Sequence, residues 1–144
     1  MNRITMSSKE LRQFRRWTDN LSKENTAKVK NLVARSTEMI LLNAKKQAPV
    51  DTGRLRASGH SEYTKTGLSS KVYFDVKYAP YNEFGTGRYV TVLPGYEAYA
   101  MMFKGRGIRQ VNRQPHPFLF ANYERVSKAL LKELNKMGFY ERPV

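Results

Sequence analysis

An unbroken helical period from Val29 to Ala44, cut off by Pro49, constrains this chain more than any other feature. Val29, Leu32, Val33, Ser36, Met39, Ile40, Asn43 and Ala44 recur at the i, i+3, i+4, i+7 spacing that gathers side chains on one side of an α-helix. Lys28, Lys30, Arg35, Lys45 and Lys46 take the other side. The residue before a proline is pushed out of the α conformation, so the helix must stop just short of Pro49. The lysines of its last turn suit the negative end of the helix dipole. Downstream the period changes. Leu68, Ser70, Val72, Phe74 and Val76 alternate with Ser69, Lys71, Tyr73, Asp75 and Lys77, the signature of a half-buried strand. A period that switches from helix to strand within one short chain makes the fold class α+β.

Further elements follow from local chemistry. Ser7 and Glu10 fit a capping box, and Leu11, Phe14, Thr18 and Leu21 continue it as a first helix over about 8–21. The polar stretch 22–25 either breaks that helix or lets it run on. His60–Thr64 can pair with the alternating strand across Lys65-Thr66-Gly67 as a hairpin. Tyr89–Leu93, rich in β-branched residues, is a third strand candidate. Pro94-Gly95 then turns the chain. Tyr96, Tyr99, Ala100 and Phe103 have the spacing of a short helix, and Ile108–Val111 reads as a further short strand. Pro115 and Pro117 lead into a last helix carrying Leu119, Ala121 or Asn122, Val126, Ala129, Leu130, Leu134 and Met137, with Gly138 as its C-cap. The organisation expected is an N-terminal helical extension over 1–27, a body over 28–138 and a loose tail over 139–144.

With 144 residues the chain forms one domain and buries about 70% of the surface its unfolded form exposes. It contains no cysteine, so disulfides, thiolate nucleophiles and cysteine zinc sites are excluded. No leading apolar run reads as a signal peptide, and no segment approaches the ~20 apolar residues of a membrane span. The expectation is a soluble protein, cytosolic when made. Lys and Arg number 26 against 12 Asp and Glu, a net charge of +14. Such a surplus attracts polyanions or acidic protein surfaces. It leans to the N-terminal half, where Arg12, Arg15 and Arg16 form the one tight cluster. A solvated helix face is the plainer reading of that cluster, and contact with DNA the sharper one.

Few residues point to chemistry. Asp51 just after a proline-terminated helix suits an Asx-turn better than catalysis, with Gly53 supplying a positive φ. Arg54 is placed to pair with a carboxylate, Glu83 being the candidate, and Leu55 to turn inward as a core anchor. Ser58 and His60 lack the orienting acid and nucleophile elbow of a serine hydrolase. Two histidines far apart in sequence, His60 and His116, make a metal site improbable, and no cofactor motif is present. Gly85-Thr86-Gly87 lacks the remaining residues of a phosphate loop, so a turn is expected there. The nine tyrosines, set among Lys and Arg, suit base stacking or a protein interface. Met101 and Met102 beside Tyr99 and Phe103 favour the interface.

Three blocks in order remain: Ala48-Pro49-Val50-Asp51-Thr52-Gly53-Arg54-Leu55-Arg56-Ala57-Ser58, then Tyr78-Ala79-Pro80-Tyr81-Asn82-Glu83-Phe84-Gly85-Thr86-Gly87, then Gln114-Pro115-His116-Pro117-Phe118-Leu119. Together they resemble the head–tail joining, or tail-completion, family of tailed bacteriophages, over roughly residues 28–137. The resemblance implies a small α+β domain with an antiparallel sheet packed by the long helix and the final helix. It implies a non-enzymatic virion protein without cofactors, assembled as a ring, hexameric or dodecameric, between connector and tail tube. The motif residues would then be structural or interfacial, namely Asp51, Thr52, Gly53, Arg54, Leu55, Ser58, Tyr78, Ala79, Glu83, Phe84, Gly85, Thr86, Pro117 and Phe118. Tyr96, Tyr99, Met102 and Phe103 are the candidate subunit contacts, and Arg12, Arg15 and Arg16 the candidate contacts to DNA in the ring's lumen. The alternative, resting on charge alone, is a sequence-independent basic DNA-binding protein.

Overall fold

A computed structural model describes residues 9, 12, 13, 15, 16, 23–101 and 112–138. The long helix α1 spans Lys23–Gln47. It stops where Pro49 dictates and runs through the expected 27/28 boundary without a break. Val29, Val33, Thr37, Ile40, Ala44 and Ala48 are buried along its inner side. Met39, assigned to that stripe by spacing, is instead 43% exposed. Thr37 takes the inner position because its hydroxyl is satisfied there: Oγ1 donates to the Val33 carbonyl oxygen at 2.7 Å and shares a hydrogen bond with the Ser70 hydroxyl. A hydrogen-bonded hydroxyl can be buried without the desolvation cost of an orphan.

A one-turn helix α2, Arg54–Ala57, follows. The strands β1, Gly59–Tyr63, and β2, Ser70–Phe74, form an antiparallel hairpin with Gly59 opposite Phe74 and Tyr63 opposite Ser70. This is the expected hairpin, with β2 trimmed at both ends and β1 shifted by one residue. One face of it lies on α1, where Ser61 Oγ and Tyr63 Oη donate to Glu38 Oε1 at 3.1 and 2.5 Å. The other face is polar and paired within itself: Lys71 Nζ sits 2.5 Å from Glu62 Oε2, and the Tyr73 hydroxyl donates to Glu62 Oε1 at 2.7 Å.

After the hairpin comes α3, Ala79–Phe84, with a proline in its first turn, where a missing N–H costs nothing. A 3₁₀ turn spans Gly87–Tyr89, and a short helix α4 spans Glu97–Met101. The third strand expected over Tyr89–Leu93 does not form: the described sheet has two strands. Those residues start in the 3₁₀ turn and continue without regular structure, tied by the Thr91 amide donating to the Phe84 carbonyl oxygen at 2.9 Å. β-branched composition favours a strand only where the chain is also carried alongside a sheet edge, and this segment is held against α3 instead. The expected helix near 96 is present as α4. The strand expected over Ile108–Val111, and most of the helix expected over 8–21, lie outside the described residues. The final helix α5, Phe120–Lys136, buries Phe120, Asn122, Val126 and Leu134. Between Ala121 and Asn122, the structure buries the asparagine. Ala129, expected inside, is exposed. Gly138 has φ +74°, as its capping role requires.

Two apolar clusters hold these layers together. Val29 and Val33 of α1 meet Leu134 of α5 at one end. The larger cluster joins Ile40, Ala44, Ala48, Leu55, Phe74, Val76, Ala79, Phe118, Leu119 and Val126. Phe118 lies edge-on to Phe74, with ring centroids 5.0 Å apart. Burying such a ring stabilises by roughly 2–3 kcal/mol, and the edge-to-face geometry adds about 1 kcal/mol.

Candidate functional site

The three sequence blocks converge on that larger cluster. Ala48 and Leu55 come from the first, Ala79 from the second, and Phe118 and Leu119 from the third. Local chemistry sets each in place. In the first block Gly53 adopts φ +78° ahead of α2, a conformation open to glycine at little cost. Leu55 turns inward as a core anchor, as expected. The Arg56 guanidinium Nη2 folds back to donate to the carbonyl oxygens of Lys46 and Ala48 at 3.2 and 3.4 Å. It thereby satisfies carbonyls that the end of α1 leaves without helical partners. Nothing in the sequence reading singled out Arg56 for this.

Glu83 is the centre of the arrangement. It is 4% exposed, and its carboxylate accepts three backbone N–H bonds: Phe118 and Leu119 on Oε2 at 2.9 and 3.0 Å, Phe120 on Oε1 at 2.9 Å. The first amides of a helix have no partner within it, and the residue preceding α5 is Leu119, which has no side chain able to cap. Glu83 does the capping from across the fold, at the end of the helix where a negative charge is favoured. Burial pushes its carboxyl above the ordinary glutamate value, and the three amides pull the other way. The His116 amide adds a bond to the Asn82 carbonyl oxygen at 2.7 Å, so the second and third blocks are latched side by side. Asn122 then ties α5 to the end of α1: its Nδ2 donates to the Phe118 carbonyl oxygen at 2.6 Å and to Gln47 Oε1 at 2.8 Å.

This placement corrects the expected Arg54–Glu83 pair. Arg54 is exposed, and both oxygens of Glu83 are occupied by amides. A carboxylate inside a fold needs several donors, and three pre-aligned N–H groups supply them without burying a second charge. The Asx-turn expected at Asp51 is also not formed by its side chain: Asp51 is exposed and its carboxylate bonds to no described residue. Gly53 alone makes the bend. Asp51, Thr52 and Arg54, with Val50 at 58% exposure, form an open turn at the edge of the cluster.

The remaining candidates make the following contacts. Ser58 Oγ donates to the Leu55 carbonyl oxygen at 2.7 Å, while His60 Nε2 lies 3.3 Å from Asp75 Oδ2, so hydroxyl and imidazole serve different partners. In Gly85-Thr86-Gly87 the amides of Thr86 and Arg88 are committed to the Arg113 carbonyl oxygen and to Asn112 Oδ1, so the loop is a clasp on residues 112–113 and not a phosphate cradle. Among the described residues no group of His, Asp and Glu could hold a metal ion, and no helix is long and apolar enough to cross a membrane. Tyr78 is exposed, and Phe84 stacks on Phe120 at 5.4 Å. Pro117 is exposed beside the buried Phe118.

The candidate contact residues divide. Tyr96 and Tyr99 are half-buried and turn onto Phe120, with ring centroids 4.4 and 5.8 Å away. They are part of the chain's own packing. Met102 and Phe103 lie outside the described residues, and Met101 just before them is 67% exposed. Arg12, Arg15 and Arg16 are helical and exposed.

A protein-family model described as "Bacteriophage HK97-gp10, putative tail-component" matches residues 12–85. The match spans α1, the first block, the hairpin and the second block through Gly85. The third block and α5 lie beyond it and are joined to it by Glu83. Comparison with curated proteins and with solved structures gives no match.

Proposed function

We propose, because this chain belongs to the HK97-gp10-like family of bacteriophage tail components, that it is a structural protein forming a ring at the phage neck, where it completes the tail and joins it to the head connector. The observation that carries this reading is the use made of the buried polar residues in and beside the matched stretch. Glu83, Asn122 and Thr37 are spent on backbone groups and on neighbouring side chains that hold the body together. Such a body offers rigid surfaces to neighbours and needs no cofactor or catalysis. Its partners are further copies of itself, six or twelve to the ring, with the connector on one side and the tail tube on the other. It works in the virion after synthesis in the host bacterium. Disrupting the gene and viewing infected-cell lysates by electron microscopy tests this. DNA-filled heads beside separate tails, or tails of abnormal length, are expected. Normal joined particles would remove the reading.

A second reading rests on the exposed Arg12, Arg15 and Arg16 together with the +14 charge. These side chains contact the phosphates of duplex DNA, in the lumen or independently of any ring. Replacing all three by alanine is expected to lessen the slope of log binding constant against log salt by about 3, since each phosphate contact contributes about 0.9. An unchanged slope assigns the charge elsewhere, and no duplex binding at low salt ends this reading.

A further inference from the structure

Resting on the ring-forming reading, we propose that neighbouring copies join through the free edges of the β1–β2 hairpin, the β2 edge of one copy pairing antiparallel with the β1 edge of the next. The hydrogen-bond pattern identifies those edges. The Thr64 amide donates to the Ser69 carbonyl oxygen at 3.0 Å, and the Asp75 amide to the Ser58 carbonyl oxygen at 3.1 Å. Bonded and non-bonded pairs alternate in an antiparallel ladder. With the observed register, the bonded pairs are therefore 58 with 75, 60 with 73, 62 with 71 and 64 with 69. Gly59, Ser61 and Tyr63 on one strand, and Ser70, Val72 and Phe74 on the other, aim their N–H and C=O groups outward. No third strand among the described residues meets them.

A two-stranded sheet with open edges is a template for another strand. Of the devices that blunt an edge, proline and a bulge are absent from both strands, and the charges present, Glu62 and Lys71, are of opposite sign on the two strands. The two edges are unlike, so joining one to the other is a head-to-tail contact, which closes into a ring when the rotation allows. Charge selects the register. Lys71 already pairs with Glu62 across the hairpin, and the Glu62 side chain remains 50% exposed. Setting Val72 of one copy opposite Ser61 of the next repeats the internal register. It places Lys71 beside the next copy's Glu62 and Tyr73 beside the next copy's His60, so the alternation of charge runs through the junction. Opposite charges on facing strand positions are favourable and like charges are not.

Hydrogen exchange on the wild-type chain, as dilute monomer and as assembled ring, tests the contact directly. Exchange at the Ser61, Tyr63, Ser70 and Val72 amides is expected to slow roughly a hundredfold on assembly. Rings whose edge amides exchange as in the monomer overturn the contact and leave the ring reading intact. A chain that never assembles overturns both. Mixing supplies a second test. Glu62→Lys and Lys71→Glu each place like charges at every junction and are expected to remain monomeric alone. Combined in equal amounts they alternate, every junction again carries opposite charges, and rings return. Assembly of either variant by itself, or folded variants that fail to assemble together, would count against the proposal.

Discussion

Replacing Glu83 by alanine is expected to destabilise the chain by about 4 kcal/mol or more, since each buried amide left without an acceptor costs about 1–3 kcal/mol. Three amides lose their acceptor at once, and the loss falls at the join between the matched segment and α5. A domain of this kind has roughly 5–15 kcal/mol of stability in total, so the variant sits near the edge of folding at 37 °C. Denaturant midpoints read the effect. A loss below about 1 kcal/mol, the range of a surface change, would mean that the amides find other acceptors. Glu83→Gln keeps the shape and one carbonyl oxygen, so a smaller loss is expected. Comparing it with wild type across pH isolates the titration of Glu83, because the self-repulsion of a strongly basic chain is common to both. Burial, the larger influence, sets the folded carboxyl above its unfolded value of about 4.3. The folded state therefore holds this proton more tightly than the unfolded one. The stability linked to it is full below the unfolded value and is lost as pH rises through the folded one. The wild-type advantage over Glu83→Gln is expected to shrink with rising pH across that window and then level off. An advantage that grows would show that the amides outweigh burial.

Gly85→Ala is expected to cost about 3 kcal/mol or more, for strain in a backbone region almost closed to other residues combined with overpacking. Gly85 has φ +75° and ψ −178°. A Cβ there would lie 2.8 Å from the Arg113 carbonyl oxygen, 2.9 Å from the Tyr89 carbonyl oxygen and 3.0 Å from the Pro115 nitrogen. All three are backbone atoms, so no change of rotamer relieves the clash, and the clasp between the second and third blocks must open. Gly53→Ala is the matched control. Its φ is +78°, but nothing stands within 4 Å of the added atom, so only the left-handed strain of about 1–2 kcal/mol applies. Unfolding midpoints of the two variants should differ clearly, and equal losses would contradict the close approach of residues 113–115 to Gly85.

The elements that were legible in advance share a cause. A helical stripe, a proline stop and an alternating strand are properties of neighbours in the chain. Spacing and backbone sterics therefore located α1 to its end at Gln47, paired β1 with β2 and placed α5. The misreadings share a cause too. Met39 was placed inward by spacing alone and is exposed, while the hydrogen bonds from Thr37 to Val33 and Ser70 let a polar residue outside the expected stripe be buried. Tyr89–Leu93 had the composition of a strand, but its backbone leads out of a 3₁₀ turn and is tied to Phe84 instead of running alongside the hairpin. That Tyr96 and Tyr99 would lie against Phe120 was likewise not legible, because nothing local announces a ring more than twenty residues away.

Most of all, Glu83 was assigned to a pairing of side chains when its destination was a set of backbone amides 35 to 37 residues away. No pattern of residue types records where orphan amides will point, because every residue but proline carries the same N–H. The sequence by itself therefore determined the class of fold, the order of its main elements, the stop of the long helix and the motif blocks of a phage tail component. Only the tertiary structure decided that those blocks form one latch around a buried carboxylate and that no third strand among the described residues pairs with the hairpin. Periodicity and proline act within a few residues, whereas satisfying a buried charge or leaving an edge free depends on what the rest of the chain brings beside it.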